Sequence, residues 1–138
     1  MRFAGAEMPG ERVAIRGTNM IGGPDGHGNE DSRMRDHEIR EALNRHWTAL
    51  DSADSATEHD IYQEDAILDY PQSRERIAGR SNIQIARSLQ PGSKRFAIHR
   101  IIGSGDLWVT EYVLTYDNQP FYVVSIMQFH GVKVAHET

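Results

Sequence analysis

An α+β fold, with helices gathered on one side of a curved antiparallel sheet, follows from three observations. The stretch DHEIREALNRHWTALDSAD, from Asp36, carries Ile39, Leu43, Trp47 and Leu50 at near-helical spacing, which makes one apolar stripe. The last third of the chain, after Pro91, reads as strands cut by short turns. Between them lies a single short apolar run, Ala66 to Tyr70, flanked by two further helical patterns. Helices therefore come first and strands cluster last.

In order, residues 1 to 33 are predicted to be a flexible Gly-rich leader. Gly22, Gly23, Pro24, Gly26 and Gly28 oppose both a helix and a central strand there. A single domain is expected over 34–138, opening at Met34. The first helix begins at Asp36. Ser55, with Glu58 three residues on, resembles a capping box and predicts a second helix over about 55 to 63. Ala66 to Tyr70 is a short strand, and SRER follows as a loop. Arg80-Ser81 opens a third helix through Ile83, Ala86 and Leu89, which Pro91-Gly92 stops. RFAIHRII alternates through Phe96, Ile98, Arg100 and Ile102. LWVTEYVLTYD and QPFYVVSIMQFH then pair across the Asp117-Asn118 turn. VKVAHET begins a further strand, which ends in mid-pattern and is expected to be truncated.

Composition narrows the function classes. The chain has 138 residues, enough for one core, with 38% hydrophobic and 25% charged residues. A net charge of -5 and scattered basic residues argue against nucleic acid as a partner. The absence of cysteine excludes disulfides, thiolate chemistry and cysteine-ligated zinc. No apolar run reaches 18 residues, and the N-terminus lacks the apolar core of a signal peptide, so a cytoplasmic location with no membrane partner is expected. HExxH, GxSxG and metal-spaced carboxylates do not occur, so neither a metal nor a cofactor is expected. The glycines of GSGDLW lead into a strand, not a helix, so they do not form a phosphate cradle.

The ordered words RHWTALDSAD, EDAILDYPQS, the Gly79-Arg80 opening of the third helix, GSGDLWVTEYVLTYD and FYVVSIMQFHGVKV resemble the nuclear transport factor 2-like superfamily, and within it the SnoaL-like group, over residues 36 to 138. The resemblance implies a cone, in which a bent antiparallel sheet wraps helices and leaves an apolar pocket. Similar domains include ketosteroid isomerases, polyketide cyclases, dehydratases, epoxide hydrolases and binding or accessory domains, so the fold alone does not give the function. Two departures stand out: the last strand is short, and Arg74 stands where similar sequences often carry Gly.

Carried over by neighbouring words, the isomerase tyrosine falls on His46, its base on Tyr70 and its acid on Met127. Met127 can neither hold a proton nor donate a strong hydrogen bond, so a steroid isomerase of the known kind is disfavoured. For a cyclase-type enzyme the candidates are Asp69, His46, His99 and Glu111. Of these, Asp69 and His46 are the catalytic candidates. Asp69 is one position off the isomerase base, and one position on a strand is the opposite face. Tyr70 is therefore expected to line the pocket while Asp69 holds a loop arginine, one of Arg74, Arg76 and Arg80. His59 and His130 are expected to face solvent, and His99 to lie at the surface or an interface. Glu111 is expected to pair with Arg100. The epoxide-hydrolase branch needs an Asp-Arg-Asp set, for which Asp69 and Arg100 are the only candidates.

Strand phase puts Trp108, Thr110, Tyr112 and Leu114, with Ser125, Met127 and Phe129, on one face. Together with Trp47, Tyr62 and Tyr70 they form the expected ligand pocket, suited to a small hydrophobic molecule. The alternative for these side chains is that they simply fill the core. The opposite face is also substantially apolar and is expected to be covered by a homodimer partner. Three functions compete. The first is a domain that binds a small apolar molecule. The second is a cofactor-independent acid–base enzyme of the cyclase, isomerase or dehydratase type. The third is a structural dimerisation module. Only the second predicts a titratable group deep inside with a shifted pKa.

Overall fold

A computed structural model describes residues 26–90 and 92–138. Three helices come first or are interleaved with the first strands: α1 (Gly26–Asp51), α2 (Ser55–His59) and α3 (Arg80–Ser88). The strands are β1 (Tyr62–Tyr70), β2 (Glu75–Ala78), β3 (Lys94–Ser104), β4 (Leu107–Tyr116), β5 (Gln119–His130) and β6 (Lys133–Glu137). They form one six-stranded sheet in the order β2-β1-β6-β5-β4-β3.

α1 starts earlier than its apolar stripe, at Gly26 rather than near Asp36. The stripe anchors the helix only from Ile39, which is fully buried with Leu43. Once those turns form, extension adds one hydrogen bond per residue and tolerates a Gly at a cost of about 1 kcal/mol. The rest of the expected leader, residues 1–25, lies outside the described residues, as does Pro91. At the far end Asp51 accepts from Arg95 Nε (2.7 Å) and from the Phe96 amide (2.9 Å), which ties α1 to the start of β3.

α2 is shorter than expected and is capped differently. Asp54, not Ser55, is the N-cap and accepts from the Thr57 amide at 3.2 Å. That frees Glu58 from a capping role, and it turns inward. β1 is longer than the apolar run that announced it, and SRER, expected as a loop, contributes a strand. Ile77 of β2 stands opposite Leu68, and Arg76 opposite Asp69.

Most neighbouring strands pair antiparallel, but β1 and β6 run parallel. The sheet is therefore mixed rather than purely antiparallel, because the last strand inserts between β1 and β5 in the β1 direction. Gly103 lies opposite Trp108, and a Cβ there would sit 2.6 Å from the indole, so only Gly lets that ring close over the strand.

The core joins Ile39, Leu43 and Trp47 of α1, Ile83 of α3, and Tyr62, Ala66, Leu68, Trp108, Met127, Phe129 and Val134 of the sheet. Its polar atoms are matched where they can be: Trp47 Nε1 donates to Thr110 Oγ1 at 3.2 Å. No helix among the described residues is long and apolar enough to cross a membrane.

Candidate active site

Strand phase decides the fate of Asp69 and Tyr70. Leu68 is buried and Tyr70 lies on the same face, half-buried against the core. Asp69 points to the other face. There its carboxylate takes both Arg76 Nε (2.8 Å) and Nη2 (3.0 Å) and also meets His136 Nε2 at 2.8 Å. Those bonds, Arg76 first, hold Asp69 down at a pKa of about 2. A carboxylate so held is a poor base, and it does not face the interior.

The interior holds a different set. Arg87 of α3 donates Nη1 to Glu58 Oε1 and Nη2 to Glu137 Oε1, each at 3.1 Å. Glu137, at the end of β6, also accepts from Ser125 Oγ at 2.6 Å and from the Tyr62 hydroxyl. The Arg87 guanidinium lies over the Tyr62 ring, 5.5 Å from its centroid. Glu58, Tyr62, Ser125 and Glu137 are all buried. Burial alone would push the Glu137 carboxyl up, but Arg87, His46, Ser125 and Tyr62 together hold it below its ordinary range. Burial, aided by Glu137, pushes the Tyr62 hydroxyl well up, so it stays protonated and donates.

His46 is packed beside this set, 1% exposed, edge-on to Trp47 and to Tyr62 with ring centroids at 4.7 and 5.7 Å. Its Nδ1 bonds the Glu58 carbonyl at 2.6 Å, and a carbonyl only accepts, so Nδ1 carries the proton. Burial, reinforced by Arg87, lowers its pKa to about 4 against the pull of Glu137. The ring is therefore neutral at pH 7, and Nε2 is a bare lone pair with no hydrogen-bond partner among the described residues. Leaving a buried acceptor unmet costs about 1–3 kcal/mol.

The residues expected to line a pocket do share one interior face. Trp47, Tyr62, Trp108, Thr110, Ser125, Met127 and Phe129 are buried there, and most belong to the packed core. Tyr70, Tyr112 and Leu114 on the same face are only half-buried. Tyr112 stacks on Trp47 and Phe96 at 4.6 and 5.8 Å. Burial pushes the Tyr70 and Tyr112 hydroxyls up, with Glu137 adding to both, so both remain donors near the buried carboxylate. Two surface grooves stand out among the described residues. One, of about 330 Å³, runs along α1 between Glu38, Arg45, Asp60 and Lys133. The other, of about 320 Å³, lies at the β1–β2 turn and shares Tyr70 with the interior face.

Other expectations resolve locally. Glu111 takes Arg100 Nε and Nη2 at 2.9 Å each on the outer face. His99 and His130 are exposed, but His59 is buried, contrary to the expectation, with Nδ1 bonded to the Ser55 carbonyl at 2.8 Å. Asp69 and Arg100, the expected acid–arginine candidates, are engaged in separate surface pairs. The carboxylate–arginine–carboxylate arrangement exists instead as Glu58–Arg87–Glu137. Sequence reasoning missed it because Glu58 read as part of a capping box, and neither Arg87 in the third helix nor Glu137 in the short last strand was singled out. The one available signal was a carboxylate, Glu137, inside the short strand pattern VKVAHET.

No family model matches the chain, and no curated protein matches it. Solved structures do. An NTF-2 like protein of unknown function from Burkholderia xenovorans LB400 is 56% identical, with 76% of this chain aligned to 83% of that one at a TM-score of 0.74. A protein described as a candidate ketosteroid isomerase from Kribbella flavida DSM 17836 is 21% identical over 76% of this chain and 78% of its own, at 0.71. An LEH-like epoxide hydrolase from M. tuberculosis is 20% identical over 73% and 80%, at 0.62. The last two share the fold alone.

Proposed function

The chain belongs to the nuclear transport factor 2-like superfamily, and on that premise we propose that it is an acid–base enzyme acting on a small, largely apolar molecule. The observation that carries this reading is the bare, buried Nε2 of His46 beside the Arg87–Glu137–Tyr62 cluster. A domain that only filled its core, or only bound an apolar ligand, gains nothing from this unmet acceptor. His46 Nε2 takes a proton from the substrate. Glu137 steadies the imidazolium that forms, and the protonated hydroxyls of Tyr70 and Tyr112 donate to the oxygen on which charge develops. The substrate enters at the half-buried end, past Tyr70 and Tyr112, and the cytoplasm is the location that fits this reading.

The test is proton exchange. An enolisable ketone such as 2-decalone, incubated with the protein in D2O, is expected to exchange its α-protons faster than in buffer. His46→Gln is expected to lower that rate at least ~100-fold, the lower end for losing a general base. Glu111→Gln, on the outer face of the sheet and away from the site, should leave it within twofold. Since His46 works as the neutral ring, the rate is expected to fall only as pH drops through about 4 and to stay level towards 7. No exchange with saturable ketone binding would leave a binding domain instead.

A homodimer through the outer face of the sheet belongs to the same reading. Tyr122 is 80% exposed and Val124 54%, on the same outer face as Leu107 and Ile102, apolar exposure of the kind that marks an interface. Sedimentation at micromolar concentration is expected to give a dimer, and Tyr122→Asp a monomer. A wild-type monomer under those conditions rules the dimer out.

A further inference from the structure

The turn between β1 and β2 carries one residue in an unexpected conformation. Arg74 has φ of 56°, in the left-handed region, where a side chain is strained and Gly is the natural occupant. An arginine kept in such a place is a reason to ask what its side chain does. It lines the groove of about 320 Å³ with Asp69, Tyr70, Pro71, Glu75 and Arg76. The other cation there is committed, since Arg76 is held at both ends of the Asp69 carboxylate. The Arg74 side chain has no hydrogen-bond or ion-pair partner among the described residues. Glu75 stands opposite Tyr70 in the strand register, on the inward side of the hairpin. Tyr70 in turn is the wall shared by this groove and the interior face, where it senses Arg87 and Glu137.

We propose that this groove is the outer part of the substrate site and that Arg74 is its specificity-determining residue, holding a carboxylate at the far end of an otherwise apolar substrate. A guanidinium presents a planar fork that fits a carboxylate with two hydrogen bonds. A singly charged group suits the place better than a phosphate, because Glu75 lines the same groove and repels a second negative charge. The apolar body then lies against Tyr70 and leads inward to Tyr112. Arg74 does not touch the reacting atoms; it sets which molecules are admitted and how they are oriented. This inference rests on the interior cluster being the working site.

The probes are decanoate and 1-decanol, which share an apolar chain and differ in the head group. Their binding to the whole chain is followed by backbone amide NMR at Tyr70, at pH 7.5. Decanoate is expected to bind about fivefold tighter than decanol, the effect of an ion pair worth roughly 1 kcal/mol at a solvent-facing site. Arg74→Gly relieves the strained backbone, so it is expected to fold at least as well. It should remove the fivefold preference while leaving the decanol affinity unchanged. If decanol shifts Tyr70 but decanoate is not preferred, or if Arg74→Gly keeps the preference, the role of Arg74 is overturned and the interior site stands. If neither probe shifts Tyr70, both readings fall together.

Discussion

Arg87→Met is expected to destabilise the protein by about 3–5 kcal/mol, the usual effect of removing one partner from a buried ion pair. Among the described residues Arg87 alone links the carboxylates of Glu58 and Glu137, and it comes from a third element, α3. Methionine fills similar volume, so the loss measures charge rather than packing. Glu137 would keep its bonds from Tyr62 and Ser125 but lose its counter-charge in a site only 4% exposed. In a domain of this size the unfolding midpoint should fall by roughly 10–20 °C. The triple change Glu58→Gln, Arg87→Met, Glu137→Gln should recover much of that loss, because no charge is then left buried. A midpoint for Arg87→Met within about 2 °C of the parent protein would mean that the network is solvated and contributes little.

The second large effect is on stability as a function of pH, and His46 sets its sign. Burial lowers the His46 pKa from 6.5 to about 4, so the folded state binds its proton less readily than the unfolded chain. Above pH 6.5 the ring is neutral in both states and nothing is lost. As pH falls from 6.5 towards 4, the unfolded chain takes up a proton that the folded state refuses. Stability then drops by about 1.4 kcal/mol per pH unit, to a total near ~3 kcal/mol. Below about pH 4 the folded state is protonated too and this loss stops growing. Glu137 and Asp69, both depressed in the folded state, withdraw their own contributions only at lower pH, as they protonate. Urea unfolding of the parent protein and His46→Gln between pH 7 and 5 isolates the histidine. The stability difference between the two should shrink or reverse by about 2 kcal/mol over that range. A difference that stays constant would show that His46 is accessible to solvent in the folded state.

Both effects depend on residues whose roles differ in how readable they were. His46 was legible as a candidate because it sits next to Trp47 on the apolar edge of α1. Its tautomer was not, because that is imposed by the Glu58 carbonyl, which α2 brings to it. Glu137 was illegible for a specific reason. In β6 the register skips Ala135: Phe129 pairs with Val134 and Gln128 with His136. Simple alternation from Val134 would turn Glu137 outward, but the bulge reverses the phase and sets it opposite Met127 on the interior face. The same device acts in β3, where the register skips His99, so that Ile101 packs inward and Ile102 is left 47% exposed.

By itself the sequence determined what depends on neighbours along the chain. The α1 stripe, the start of α3 at Gly79-Arg80, the β4 and β5 faces and the split between Asp69 and Tyr70 all follow from periods of 3.6 and 2, which one residue's position passes to the next. The tertiary structure alone decided the polar centre. Bringing Glu58 of α2, Arg87 of α3 and Glu137 of β6 to one point needs three elements and a bulge. Neither a long-range ion pair nor a one-residue slip in register leaves a periodic trace in the sequence.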